Sequence, residues 1–141
     1  MVTSLYEEHL DWHGSRERYI DDKLKLLSAS KDVLVNAMQP ALLDRASGHG
    51  GLHTFGDAAG WHVAEGFICR GDERVVAATQ VSAPGLHNAI NACAALAALE
   101  LMGFDACASV PALSTFSPLP HRLQPLGERH GLPWINDSIC T

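Results

Sequence analysis

Residues 116–123 read Phe116-Ser-Pro-Leu119-Pro120-His121-Arg122-Leu123, and residues 134–138 read Trp134-Ile-Asn136-Asp137-Ser138. Pro120 fixes its own φ and biases Leu119 to an extended shape, which predicts Arg122 at the start of a strand. His130-Gly131 punctuates the chain, and Leu132 to Ile135 reads as the returning strand. Arg122 and Asp137 then lie at or near strand ends on neighbouring segments. A guanidinium suits phosphate and a carboxylate suits a ribose hydroxyl, so the pair could face one nucleotide. An ordinary hairpin with a surface salt bridge would use the same residues.

Working outward, the rest of the chain alternates helices and strands. Ser15 to Leu27 reads as an amphipathic helix with Ser15 as N-cap, and Asp32 to Asn36 as a short buried strand. Ala41 to Ala46 is a brief helix closed by Gly48-His-Gly-Gly51. Leu52 to Phe55 and Trp61 to Ala64 alternate like strands, and Gly66 to Arg70 and Arg74 to Thr79 flank a hairpin turn at Gly71-Asp72-Glu73. Gly85 to Met102 is the strongest helix, Ala- and Leu-rich and stopped at Gly103; Asp105 to Leu113 is predicted as one second, shorter helix. The expected fold is α/β, a mixed sheet with flanking helices. No clear opening strand precedes Glu7-Glu8-His9, as if the chain were cut inside a larger domain.

Composition narrows the class. With 141 residues, 47% hydrophobic and 18% charged, the chain suits a folded domain with a real core. The formal net charge of −6 argues against a nucleic-acid backbone as partner, though a few local cations suffice for a nucleotide. The longest apolar run, around Asn91 to Met102, is too short and interrupted for a membrane span. Cys69, Cys93, Cys107 and Cys140 form no Cys-x-x-Cys pair, and with no signal peptide free thiols in a reducing cytoplasm are expected.

Three further clusters could carry chemistry. In Glu8-His9-Leu10-Asp11-Trp12-His13-Gly14 the two histidines are four apart, a spacing open to zinc, but Leu10 stands where a metalloprotease needs Glu. A polar loop turning at His13-Gly14 is the plainer alternative. Lys23 in Tyr19-Ile-Asp-Asp-Lys23, like Lys25, reads as a solvated helix lysine. Gly85-Leu-His87-Asn88-Ala-Ile-Asn91 opens the long helix, whose free N–H groups favour anions. Asn91 both donates and accepts, so it can read an adenine edge, while Asn88 could simply cap the helix.

These blocks, in this order, resemble the Mur ligase family, and among its branches the one that adds glutamate. The matching segments are "LPHR…INDS", the "DHLDxHG" block with Glu8 in place of Asp, Lys23 four after an aromatic residue, and the "G-x-HN-x-x-N-A" helix. The resemblance implies an ATP-dependent ligase of cell-wall peptidoglycan precursor synthesis, joining glutamate to UDP-N-acetylmuramoyl-L-alanine with Mg and ATP. It implies that His9 helps hold magnesium near the γ-phosphate and that Lys23 is carbamylated to support a second magnesium. Asn91 would approach the adenine, Arg122 the phosphate and Asp137 the ribose.

The resemblance covers the later part of the family's central ATPase domain, residues 1–135, with residues 136–141 entering the junction to a C-terminal domain. The P-loop is missing: Lys23, Lys25 and Lys31 are the lysines, and none follows Gly. No ligase turnover is therefore expected of this chain in isolation, and exposed sheet edges should invite self-association. The rival from another class is a non-catalytic nucleotide-binding or interaction module on the same scaffold. The chain departs from the family pattern at Ser4, where Asn is common, and at Ile139, where Lys is common though some branches carry Ile. The second departure bears on amino-acid handling, so D- and L-glutamate both stay open.

Overall fold

A computed structural model describes residues 1–6, 10–117 and 119–138. His9, Pro118 and Ile139 to Thr141 lie outside the described residues.

The fold is built on a parallel βαβ unit. Strand β1 (Val33–Asn36) pairs in parallel with β2 (Leu52–Phe55), and helix α3 (Pro40–Ala46) makes the crossover. Pro40 suits the first turn of α3 because its missing N–H would have no intrahelical partner there. All four β1 residues are buried, as expected of a parallel strand covered on both faces. Val2 adds a single parallel bridge to Val35, with its N–H donating to Leu34 O and its carbonyl accepting from Asn36 N–H. This bridge stands outside any strand, on the free side of β1. One bridge is too short for any alternation to show.

An antiparallel meander follows: β3 (Trp61–Ala64), β4 (Phe67–Arg70) and β5 (Glu73–Ala77). Glu65 and Gly66 turn the first hairpin with φ of 49° and 80°, the left-handed pair that a two-residue hairpin demands. The long helix α4 (Leu86–Leu101) packs on β3, β2 and β1. It ends at Gly103 (φ +83), where Gly103 N–H donates to Glu100 O and Phe104 N–H to Leu99 O, the two bonds of a Schellman cap. Parallel and antiparallel pairings are both present in an α/β molecule, as expected, but they fall in separate sheets.

Two apolar clusters lie on opposite faces of β1. Leu34 joins Phe55, Trp61, Ile68 and the inner face of α4, while Val33 and Val35 join Val2, Leu5, Leu27 and Leu42. Helix α2 (Arg16–Ala29) flanks the second cluster through Ile20, Leu24 and Leu27, α1 (Leu10–His13) packs on α2, and Ser15 Oγ caps α2 by accepting from Arg18 N–H.

The single helix expected over Asp105 to Leu113 is two short ones, α5 (Ala106–Ser109) and α6 (Ala112–Thr115). Pro111 is the cause: it has no N–H to donate to Cys107 O, and its ring clashes with a continuing turn. The C-terminal segment is an antiparallel hairpin, β6 (Gln124–Arg129) with β7 (Leu132–Asn136), almost wholly exposed. It turns at His130 and Gly131, with φ of 56° and 76°.

Candidate functional site

The carboxyl ends of the parallel strands meet in one place. β1 ends at Asn36, β2 at Phe55, and the Val2 bridge runs on into Thr3 and Ser4. The first turns of α4 close the opposite wall with His87, Ile90 and Asn91. Between them lies a cavity of about 360 Å³. Open α/β sheets present ligand clefts at just this end, where helix N-termini and strand C-termini converge.

Three side chains fix the wall formed by residues 3–5. Asn36 Nδ2 donates to Thr3 O at 3.1 Å, Gln39 Oε1 accepts from Leu5 N–H at 2.9 Å, and Lys23 Nζ donates to Ser4 O at 3.2 Å. Asn36 Oδ1 also accepts from Met38 N–H at 3.0 Å, so both ends of this buried amide are used. A Cβ at Gly56 would stand 2.9 Å from Asn36 Oδ1, so the glycine leaves that amide its room. Asn36 and Gln39 were missed in the sequence. The available signal was a polar residue ending the apolar run Val-Leu-Val, since buried amides are kept where they have bonds to make.

Lys23 is half-buried and bonded to the Ser4 carbonyl of the cleft wall, not a freely solvated helix lysine. Its Nζ stands 4.5 Å above the Tyr19 ring centroid, four residues earlier on the same helix face. Asn91 is exposed and lines the cleft, while Lys23 touches that wall through its bond to the Ser4 carbonyl. Asn88 is no cap for α4: its Nδ2 donates to Pro84 O at 2.8 Å, and Gly85 at φ +104 holds the N-cap position. That conformation suits glycine, and a Cβ there would meet the His87 ring at 2.7 Å.

Arg122 and Asp137 form a second group at the foot of the β6–β7 hairpin. Arg122 lies two residues before β6, in a turn, and not at the strand start. His121 and Leu123 on either side adopt φ of 67° and 43°, and Arg122 N–H closes back onto Leu119 O, so the chain bends where a strand was expected. Asp137 Oδ1 accepts from Leu123 N–H at 3.0 Å, and Asn136 Nδ2 lies 2.8 Å from His121 Nδ1. These bonds bring the two sequence blocks together. Phe116 lines one hollow with Asn91 and another with Pro120 and Gln124, and neither hollow is lined by Arg122 or Asp137.

Among the described residues no three His, Cys, Asp or Glu side chains converge on a metal position. His13 Nδ1 is engaged by Asp22 Oδ2 at 3.0 Å. A magnesium shared with phosphate oxygens and water asks for only one or two protein oxygen ligands, and the Lys23 amine, which donates to Ser4 O, could supply one only as a carbamate.

Away from the cleft, Glu100 on α4 accepts from Trp61 Nε1 at 2.6 Å and pairs with Arg70. Partial burial pushes its carboxyl up, but the Trp61 and Arg70 bonds outweigh this and hold it below the usual carboxylate range. Burial pushes the Cys93 thiol up to about 12, so it is an inert core group. No helix among the described residues is long and apolar enough to cross a membrane.

A parallel βαβ unit with a cleft at its strand C-termini, walled by a helix N-terminus, defines an α/β domain of the kind whose ligand sites lie at that end of the sheet. The family model for the Mur ligase middle domain matches residues 1–99, and the chain belongs to that family. It is 46% identical over 143 aligned residues to the UDP-N-acetylmuramoyl-L-alanine–L-glutamate ligase of Xylella fastidiosa strain 9a5c, covering 100% of this chain and 31% of that protein. The protein of the same name from Xanthomonas axonopodis pv. citri is 42% identical with the same coverage. The UDP-N-acetylmuramoylalanine–D-glutamate ligase of Latilactobacillus sakei is 35% identical over 151 residues, covering 100% of this chain and 33% of that protein. The chain thus spans about a third of the length of these relatives.

Proposed function

We propose that this chain is the later part of the ATP-binding domain of a ligase that joins L-glutamate to the carboxylate of UDP-N-acetylmuramoyl-L-alanine, in peptidoglycan precursor synthesis. The observation that carries the nucleotide part is the cleft at the β1 and β2 C-termini, with Asn91 on one wall and Ser4, held by Lys23, on the other. The choice of L-glutamate over D-glutamate is supported by the higher identity to relatives named for the L-isomer, 46% against 35%.

In this proposal Asn91 reads the adenine edge and Asp137 holds the ribose, while Arg122 offsets phosphate charge. His9 and Lys23 (the latter carbamylated) border the phosphates, where bound magnesium would supply further charge neutralisation. The substrate carboxylate takes the γ-phosphoryl group of ATP to become an acyl phosphate, and ADP leaves. The amine of glutamate attacks it, and the tetrahedral intermediate expels phosphate. Stabilisation of that charge is electrostatic more than acid–base work. The β/γ-phosphate cradle requires a Gly-Lys-Ser/Thr loop, which this sequence does not contain, so the 141-residue chain should not turn over.

Titration calorimetry with adenosine and with Mg-ATP tests the site. Binding that weakens at least tenfold on Asn91→Ala or Asp137→Ala is the expected outcome. Binding indifferent to both variants would overturn the assignment and favour an interaction module on the same scaffold. A ligation assay of a polypeptide of the relatives' full length, with each glutamate enantiomer, decides the amino acid. Among the described strands β2 pairs only with β1, so its outer edge is open to another chain. Sedimentation should show self-association that rises with concentration; a clean monomer at high concentration would remove that proposal.

A further inference from the structure

We propose that His13 and Asp22 are positioning residues that hold the Tyr19 ring beneath Lys23 and so fix the Lys23 amine against the Ser4 carbonyl of the cleft wall. Its functional meaning rests on the ligase reading above, in which this amine is the one to be carbamylated; its geometry, that of the unmodified amine, does not. Gly14, at φ +75, turns the chain between α1 and α2 and lays His13 back against α2. There His13 Nδ1 meets Asp22 Oδ2 at 3.0 Å, and the imidazole, only 20% exposed, sets its ring edge-on to Tyr19 at 5.2 Å and 78°. The other Asp22 oxygen is held by Lys25 Nζ at 2.5 Å.

Tyr19 is 3% exposed, and its hydroxyl has no hydrogen-bond partner among the described residues. The ring is therefore not tethered through its own oxygen; contact with the imidazole sets its rotation. That matters because the ring face is the floor under Lys23 Nζ, 4.5 Å away. A lysine stem has several rotatable bonds, and confining its amine needs a surface as well as a single acceptor. Ser4 O supplies the acceptor, at 3.2 Å. The order of dependence is thus Asp22 to His13, His13 to Tyr19, Tyr19 to Lys23, and Lys23 to the cleft wall.

The sequence has three lysines, which makes the test direct. Reductive methylation of the full chain with carbon-13 formaldehyde and a hydride donor keeps each amine cationic and gives one readable methyl signal per lysine, plus one from the Met1 α-amine. Lys23 should resonate upfield of Lys25 and Lys31, because it lies over an aromatic face. His13→Ala and Asp22→Ala should each collapse that upfield shift. Asp22→Asn, which keeps an oxygen for His13, should retain most of it, and Lys25→Ala should leave it in place. A signal that stays upfield in folded His13→Ala and Asp22→Ala chains overturns the proposal, as does a wild-type Lys23 signal that coincides with the other two. Circular dichroism reports folding. If His13→Ala does not fold, Asp22→Ala on the exposed helix face decides alone. No nucleotide or ligase substrate enters this readout, so the clamp and the ligase reading fail separately.

Discussion

Asn36 ends a buried strand with an amide whose two ends hold different pieces of the cleft. Its Nδ2 fixes the Thr3 carbonyl and its Oδ1 fixes the Met38 N–H. Asn36→Ala removes both bonds and leaves the Thr3 carbonyl and the Met38 N–H, both on exposed residues, to water, at a net cost of about 1–2 kcal/mol. Urea denaturation should show a lower midpoint with an unchanged slope, and an unshifted midpoint would mean that water replaces the amide at no cost. Residues of this kind were hard to read in the sequence. Asn91, Lys23, Arg122 and Asp137 stand in recognisable blocks. Asn36 and Gln39 act through partners more than thirty residues away, at Thr3 and Leu5, and no local pattern signals such a bond.

Elements were legible where a local rule decides them. Ser15 caps α2, Gly103 stops α4, and the Gly71-Asp72 turn joins β4 to β5, each through a backbone need met by the residue in place. Pro111 was visible too, but its break in the helix is a local veto that outranks the apolar spacing around it. The β6–β7 hairpin shows the opposite balance. It was legible from its turn, yet Leu126, Leu132, Trp134 and Ile135 all stay more than half exposed, so tertiary packing contributes little to it. A two-stranded hairpin with little packing is marginal and leans on its turn. Gly131→Val places a β-branched residue at φ +76, which only the turn must bear. Cross-strand proton contacts between Gly127 and Trp134 should vanish while the thermal midpoint of the rest stays put. A midpoint that falls with the hairpin would show that β6 and β7 support the core.

At the scale of the molecule, β1 is the strand both cores share. Leu34, 4% exposed, points into the cluster under α4; Val35, fully buried, points into the cluster beside α2 and α3. The alternation follows from the two-residue period of a strand, and it means that neither cluster can form without the other's backbone in place. Leu34→Ala should cost about 2–5 kcal/mol, a large share of the 5–15 kcal/mol that holds a typical domain together. If the two clusters are one cooperative unit, that loss is felt on both faces of β1. Amide hydrogen exchange can read them apart, with Leu96 reporting the first cluster and Leu42 the second. In Leu34→Ala both amides should lose protection by the same factor. Lost protection at Leu96 with Leu42 unchanged would mean that the clusters open independently. The cleft, whose walls come from α4 on one side and from residues 3–5 on the other, would then be assembled from two separately folding halves.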